Sequence, residues 1–323
     1  MKHSLRPSPT ALLDPKYDSS FKAMFTQDTK ESKAALTDFI STILNRKIKD
    51  LQLVQNEPPV EIINQNKMSF DVSVKFEDGE RADIEMQSRQ ENYDYSARAE
   101  IQAARLLSTN NKSGDNWHTP AVYQISVLDF VFDKDDISPL SWYTMRKDNG
   151  GRLSDRTNII FLELTKIHDL LGKPAKELSK LEKWGLFLSY AGDERYTGYI
   201  DEIISSEGGL MNAKSSLCTV SKDEILWAQQ NSIDKARRDY NTIVFNANEQ
   251  GYKNGHEKGL KEGREEGLKQ GIQQGIQQGM QQGMQQGMQQ GIQQVAQNMI
   301  SAGMPIAQIT QLTGLSEAEI QNL

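Results

Sequence analysis

Apolar and polar residues alternate strictly from Phe70 to Phe76 and again from Ala82 to Met86, the period-2 signature of two half-buried strands. Every apolar position in both runs is even-numbered, so only registers that pair even with even residues keep one face dry. A three-residue loop, Glu77-Asp78-Gly79, with Gly79 in the left-handed bulge position, gives such a register and predicts a hairpin over 69–87. Phe70 then faces Met86, Val72 faces Ile84, and Val74 faces Ala82. The other face, expected to be wet, sets Lys75 opposite Arg81, Ser73 opposite Asp83, Asp71 opposite Glu85 and Ser69 opposite Gln87.

Upstream the spacing is helical. Asp18 precedes Phe21, Met24 and Phe25 and reads as an N-cap, while Leu36, Phe39, Ile40, Ile43 and Leu44 make a core stripe on a helix over 33–48. A short strand is predicted over 51–54, cut off from the hairpin by Pro58-Pro59. Downstream, 92–107 predicts a helix with Tyr95, Ile101 and Leu106 or Leu107 inward and Arg98 and Arg105 on a separable side. A polar loop over 110–117 leads to 122–132, a nearly continuous run of β-formers that suits a strand buried on both faces. A charged turn at 133–136 ends it, and two more strands are predicted over 143–146 and 158–164, around the loop Asp148-Asn149-Gly150-Gly151. From Ala175 the pattern turns helical: Leu178, Leu181, Trp184, Leu186 and Leu188 form a stripe, and helices follow over 200–211 and 224–245. Helix, mixed sheet, then helices predicts an α/β or α+β domain with a central sheet.

The tail has its own period. Eleven glycines recur every fourth residue from Gly251 to Gly291, many followed by an apolar residue, and no charge occurs between Gln270 and Ser316. On a helix this repeat drifts roughly 40° every four residues, tracing a slow right-handed stripe. Eleven glycines cost roughly 10 kcal/mol relative to alanine, so an isolated helix is not expected to persist. Two readings stand level: the segment packs against copies of itself, or it is a flexible linker. Paired glutamines exclude membrane insertion. Over 295–323 ordinary periodicity returns: Val295, Met299 and Ile300 before Gly303, then Ile306, Ile309 and Leu312 before Gly314, then a Ser316/Glu319 capping box. Short helices with glycine turns look like a helix-turn-helix. Glu317 and Glu319, with no Lys or Arg on the supposed recognition helix, favour an oligomerisation or capping unit.

Composition adds bounds. With 323 residues, 37% of them hydrophobic, the chain supports one sizeable core plus something smaller. It carries no secretion-like segment and no apolar run of membrane length, and its single cysteine, Cys218, rules out an internal disulfide, so a cytoplasmic location is expected. The four histidines have no zinc-like spacing. A net charge of −7 counts against a broad, nonspecific nucleic-acid binder, but not against a nuclease whose acidic site is neutralised by metal.

Candidate chemistry sits on the acidic rung. Cβ atoms of directly opposed residues lie roughly 4.5–5.5 Å apart, and two carboxylates that close repel unless a proton or cation intervenes. Mg²⁺ resolves the conflict, because it takes one or two carboxylates and fills its other positions with water and phosphate oxygens. The alternative is a hairpin face on which water screens the like charges. Arg98 and Arg105 suit bidentate phosphate contacts, or else surface ion pairs with Glu100 or Glu91.

Asp71 followed by Glu85-Met86-Gln87 resembles the Asp…Glu-x-Lys core of the PD-(D/E)XK nucleases in a Glu-x-Gln variant. Joined with Leu13-Asp14-Pro15, Asp18, Phe21, Lys22 and Phe25 before it, and with Arg98 and Phe161-Leu162-Glu163-Leu164-Thr165-Lys166 after it, the series over 10–215 resembles the recombination-promoting nuclease (Rpn), or transposase, family. The resemblance implies a restriction-endonuclease-like mixed central sheet flanked by helices, followed here by a helical region, the Gly-x-x-x repeat and a small helical unit. The boundaries read 1–215 for the nuclease-like domain, 216–250 for a helical connector, 251–294 for the repeat and 295–323 for the helix-turn-helix-like unit. It implies a Mg²⁺-dependent (Mn²⁺ is also suitable) DNA endonuclease, with Asp71, Glu85 and the Met86 carbonyl holding the metal and Asp71, Glu85 and Gln87 acting in catalysis. Lys75, Arg81, Arg98 and Arg105 would contact DNA, and the tail would make a homo-oligomer. An acidic residue on the first helix sometimes assists the metal in that superfamily; Asp18 is the candidate, set aside as a cap. Gln87 stands where the pattern has Lys and carries no charge, so slow hydrolysis or a second metal is expected. The alternative is a catalytically inactive nuclease fold that acts by self-assembly and by binding DNA or protein.

Overall fold

The period-2 segments form a six-stranded mixed sheet: β1 (Leu51–Leu53), β2 (Val72–Phe76), β3 (Arg81–Gln87), β4 (Val122–Leu128), β5 (Leu140–Thr144) and β6 (Thr157–Glu163). The computed structural model describes residues 4–54, 71–90, 94–110 and 118–323, so Ser69, Phe70, Pro58-Pro59, Glu91, Asn92 and most of the 110–117 loop lie outside the described residues. The strands run in the order β1-β2-β3-β4-β6-β5, with β3, β4 and β6 parallel and the remaining neighbours antiparallel. The helices are α1 (Asp18–Thr26), α2 (Lys30–Ile43), α3 (Tyr95–Asn110), α4 (Lys180–Tyr190), α5 (Thr197–Ser205), α6 (Gly208–Val220), α7 (Glu224–Ser301), α8 (Ile306–Thr313) and α9 (Glu317–Gln321).

The hairpin keeps the register that the alternation dictates: Val72 pairs with Ile84, Ser73 with Asp83, Val74 with Ala82 and Lys75 with Arg81. Phe76 donates its N–H to Glu80 at 2.9 Å, and Gly79 closes the loop with φ +86°, a backbone conformation that costs a side chain dearly.

Two layers of helix cover the sheet. On one face the even-numbered residues of β2 and β3 join Tyr123, Ile125, Val127, Ile160 and Leu162 in the main core, roofed by α1, α2, α4, α5 and α6. Phe25 stacks on Phe39 at 5.5 Å, and Trp184 lies 5.0 Å from Phe39 while its indole N–H donates to Asp38 at 3.0 Å. Each such buried side chain contributes roughly 1.5–3 kcal/mol. On the other face α3 lays Tyr95 and Ala99 over Leu128 and Phe161.

That second roof corrects the expectation of a wet face: Ser73, Asp83 and Glu85 are 2%, 0% and 4% exposed. Alternation identifies a face but not what lies above it. On α3 Tyr95 and Leu106 are buried as expected, together with Ala99, Gln102 and Ala103, whereas Ile101, also expected inward, is exposed. Helix α2 begins three residues early, where Thr29 accepts from Ser32 N–H at 3.1 Å, and ends at Ile43 because Asn45 turns left-handed at φ +46°. The helix expected over 200–211 is two, α5 and α6. Gly209 lets α6 sit against Asp38 of α2, where a Cβ would overlap the carboxylate.

Met1–Ala236 and Arg237–Leu323 are separate compact units, the division falling inside α7. In the second unit Ala296, Ile309 and Ile320 make a small core. Gly303 and Gly314 take left-handed turns at φ +78° and +75°, and Ser316 with Glu319 closes the capping box. Of the expected stripe Ile309 is buried, whereas Val295, Ile300, Ile306 and Leu312 are exposed. The Gly-x-x-x repeat is helical, and a Cβ at any of its glycines from Gly251 to Gly291 would meet open space among the described residues.

Candidate active site

The odd-numbered face of the hairpin, enclosed by α3 and the start of α1, gathers most of the candidate residues. Because Phe76 and Glu80 form a hydrogen-bonded rung, the odd rungs are the narrow, non-hydrogen-bonded ones, on which opposed side chains stand closest. Ser73 and Asp83 occupy one. Asp71, immediately before β2, falls opposite Glu85 on the next when the same register is continued. The Met86 carbonyl, by the same alternation, points toward the β2 side; its rung partner Phe70 lies outside the described residues.

Burial leads the electrostatics of the site, and neighbouring acids add to it at Asp71 and Asp83. Burial, then the Asp18 carboxylate and a hydrogen bond with it, then Glu85 and Asp83, push the Asp71 carboxyl up to about 9. Asp83 is raised well above the ordinary carboxylate range by complete burial and by Glu85, offset in part by Gln124 alongside. Neither Asp83 oxygen has a hydrogen-bond partner within ordinary distance among the described residues. Glu85 is raised by burial, while Arg98 and Gln102 pull it back down. Its Oε1 pairs with the Arg98 guanidinium, and its Oε2 accepts from Gln102 Nε2 at 3.1 Å and from Tyr95 Oη at 3.5 Å.

Asp18 is not a cap. The N-cap position of α1 is Tyr17, with no side-chain cap bond, and Asp18 opens the helix with its carboxylate toward Asp71 and Glu85. Lys22, one turn later on α1, contributes positive charge at Asp83. The expected alternatives for Arg98, ion pairs with Glu100 or Glu91, give way to Glu85. Gln87 donates its amide to the Arg89 carbonyl at 3.1 Å. Arg105 is half-buried on α3. Lys75 and Arg81 sit at the turn end of the hairpin, about 13 Å along the strands from the acidic rung at roughly 3.3 Å per residue. Glu163 and Lys166 form a buried pair at 2.6 Å, and Glu163 also accepts from Phe132 N–H at 2.6 Å, so that pair ties the loop after β4 to the end of β6.

The residues present fit a hard divalent cation at Asp71 and Asp18. A carboxyl that retains its proton to about 9, through burial first and then the acids Asp18, Glu85 and Asp83 around it, marks a place where a cation relieves the repulsion among them. The fit at Glu85 is conditional, since both its oxygens are already engaged. No group of three or more His, Cys, Asp or Glu residues stands in ligand geometry among the described residues.

Sequence reasoning missed Asp83, Gln102 and Gln124 as parts of this site. Tyr95, Arg98 and Gln102 stand at i, i+3 and i+7, and Gln124 and Ser126 interrupt an otherwise apolar β4 at period two, pairing in register with Asp83 and Glu85. Those spacings were the available signal.

A family model described as PD-(D/E)XK nuclease family transposase matches residues 15–247, and one described as the Rpn/YhgA-like nuclease family C-terminal HTH domain matches residues 289–323. The second gives the terminal unit a helix-turn-helix description, where its acidic last helix argued for an oligomerisation or capping unit. No curated protein and no solved structure matches the chain.

Proposed function

The chain belongs to the Rpn family of PD-(D/E)XK transposase nucleases, and from that premise we propose that it is a divalent-metal-dependent DNA endonuclease of transposase or recombination-promoting type, acting in the cytoplasm. The observation that carries this reading is the convergence of Asp18, Asp71, Asp83 and Glu85 on one enclosed patch, with Asp71 held protonated until about 9. Asp71 and Asp18 would hold Mg²⁺ or Mn²⁺, with Glu85 and the Met86 carbonyl completing the set once Arg98 turns from Glu85 to a DNA phosphate. When bound, the cation supplies the charge that activates water and screens the scissile phosphate. Gln87 orients the attacking water through its amide. Lys22 provides, from α1, the positive charge that Gln87 lacks. Arg98, and more peripherally Arg105, Lys75 and Arg81, contact the DNA backbone.

In this reading the terminal helix-turn-helix contributes DNA binding, and the Gly-x-x-x helix joins copies of the chain. Purified protein with Mg²⁺ or Mn²⁺ is expected to nick supercoiled plasmid, and Asp71→Ala to abolish nicking with an unchanged far-UV spectrum; equal nicking by that variant would refute the assignment. One observation favours the second reading, an inactive nuclease fold that works by binding: Glu85 is engaged by Arg98 and Gln102, and a neutral Gln87 stands in the lysine position. Metal titration calorimetry separates the two, since an inactive site gives no Asp71-dependent heat.

A further inference from the structure

The chain carries a net charge of −7, yet one groove of about 1230 Å³ is strongly basic. Lys30, Lys33, Arg46, Lys47, Lys49 and Lys180 line it, against the acids Asp38 and Asp50. Lys33 pairs with Asp50 at 2.6 Å and Lys180 with Asp38 at 2.5 Å. Lys30, Lys47 and Lys49 are exposed and have no acidic partner among the described residues.

Helix electrostatics do not account for this charge. Lys30 and Lys180 are the first residues of α2 and α4, the helix ends at which a cation is disfavoured, and the last turn of α2 has no basic residue. Three separate segments, the start of α2, the α2–β1 connection and the start of α4, bring their cations to one depression.

The groove also presents a fixed aromatic ring. The Arg46 guanidinium lies 5.5 Å from the Phe76 ring and 5.3 Å from the Tyr123 ring, and Trp142 meets Tyr123 edge-on at 6.3 Å. Glu80 pairs with Arg46 and accepts from Tyr123 Oη at 3.3 Å, so the Tyr123 ring that Trp142 packs against is held in place. Trp142, on the edge strand β5, remains 42% exposed. It pairs with Ile160 on the main-core face of the sheet, whereas Asp83 and Glu85 lie on the face beneath α3. The groove is therefore not a continuation of the carboxylate site.

We propose that this groove binds a single-stranded polynucleotide, its lysines on the phosphates and the Trp142 ring stacked on a base. Spaced cations track a phosphate backbone, and an exposed, pre-positioned ring favours unpaired bases over a closed duplex. The choice of a polynucleotide among polyanions rests on the nuclease reading; the basic, aromatic character of the groove does not.

The test uses the full-length chain in EDTA, with fluorescence anisotropy of a labelled oligothymidine strand and of a labelled duplex. The double variant Lys47→Glu/Lys49→Glu is expected to weaken strand binding at least ~10-fold and to reduce the slope of log K against log salt by about 1.4, near 0.7 per lost phosphate contact. Trp142→Ala is expected to weaken the strand by about 10-fold while leaving the duplex nearly unchanged. Unchanged affinity and slope in the lysine variant, equal losses on strand and duplex in Trp142→Ala, or displacement of the strand by polyglutamate as readily as by unlabelled oligothymidine would each overturn the proposal. If the unaltered chain binds the strand through Lys47, Lys49 and Trp142 yet shows no Mg²⁺- or Mn²⁺-dependent cleavage, the nuclease reading fails and groove binding stands.

Discussion

At the scale of single residues, proton linkage is the sharpest handle on the site. Asp71 titrates near 4 in an unfolded chain and at about 9 in the fold, so between those values the folded state keeps a proton that the unfolded state has lost. Stability contributed by this group is therefore intact at acid pH and falls as pH rises through that window, by an amount on the order of a few kcal/mol. Asp83, fully buried and also raised, acts with the same sign. In EDTA the thermal midpoint is expected to drop from about pH 5 to about pH 8, and Asp71→Asn to flatten the drop. Mg²⁺ or Mn²⁺ should restore the midpoint at the upper end for the unaltered chain alone; a midpoint indifferent to both pH and metal would contradict the crowded-carboxylate account. Lys22 gives a second residue-level outcome. Lys22→Met should lower the cleavage rate on the order of 10²-fold, the scale of losing one charge stabiliser, and Gln87→Lys should recover part of that loss. A variant that cleaves at full rate removes Lys22 from the mechanism.

At the scale of elements, α3 decides whether the hairpin face is a site or a surface. Tyr95, Arg98 and Gln102 all reach Glu85 from above. Arg98→Ala leaves that carboxylate buried without its counter-ion, held only by Gln102 and Tyr95, and the expected loss is about 1–3 kcal/mol in urea unfolding, below the usual figure for a fully buried pair because Arg98 is 35% exposed. In a Glu85→Gln background the same change should cost little, which a double-mutant cycle reads directly. Gly209→Ala drives a methyl into Asp38 and should cost about 1–3 kcal/mol with no effect on metal binding. These elements also mark how far the sequence could be read. Period two fixed both the register and the side on which Asp71 and Glu85 would meet, because a slip of one residue would have exposed Val72, Val74 and Ile84. It could not reveal how α3 covers that side: hydrophobicity selects Tyr95 and Leu106, which are buried, but passes over Ala99 and Gln102, which also face inward, and picks Ile101, which faces solvent. Asp18 reads as a cap for a related reason: an acid at a helix start suits a cap and an inward-facing carboxylate equally, and only the fold places it beside Asp71.

At the scale of the whole molecule, the Gly-x-x-x helix poses a question of balance. Its glycines forgo roughly 0.8–1.0 kcal/mol each in helix propensity, and a Cβ at any of them from Gly251 to Gly291 would meet nothing within 4 Å among the described residues. If copies of the chain pack through the repeat, as proposed, the local stability given up at every fourth position would be offset by close approach, because Gly ridges four apart let a second helix cross tightly. The stripe drifts roughly 40° per repeat, so one crossing engages only two or three repeats and a longer contact requires right-handed winding. Replacing Gly271, Gly275 and Gly279 with Ala therefore pulls in two directions. Intrinsic helicity rises, by about 2.4–3.0 kcal/mol in sum, while the added methyls hold a crossing helix away. With copies of the chain joined through this stripe, light scattering should record a lower mass for the triple variant even as far-UV dichroism reports at least as much helix, and truncation after Asn248 should lower the mass in the same way. Higher helicity with unchanged mass would instead identify the repeat as a spacer, leaving its glycines as a brake on helix stability.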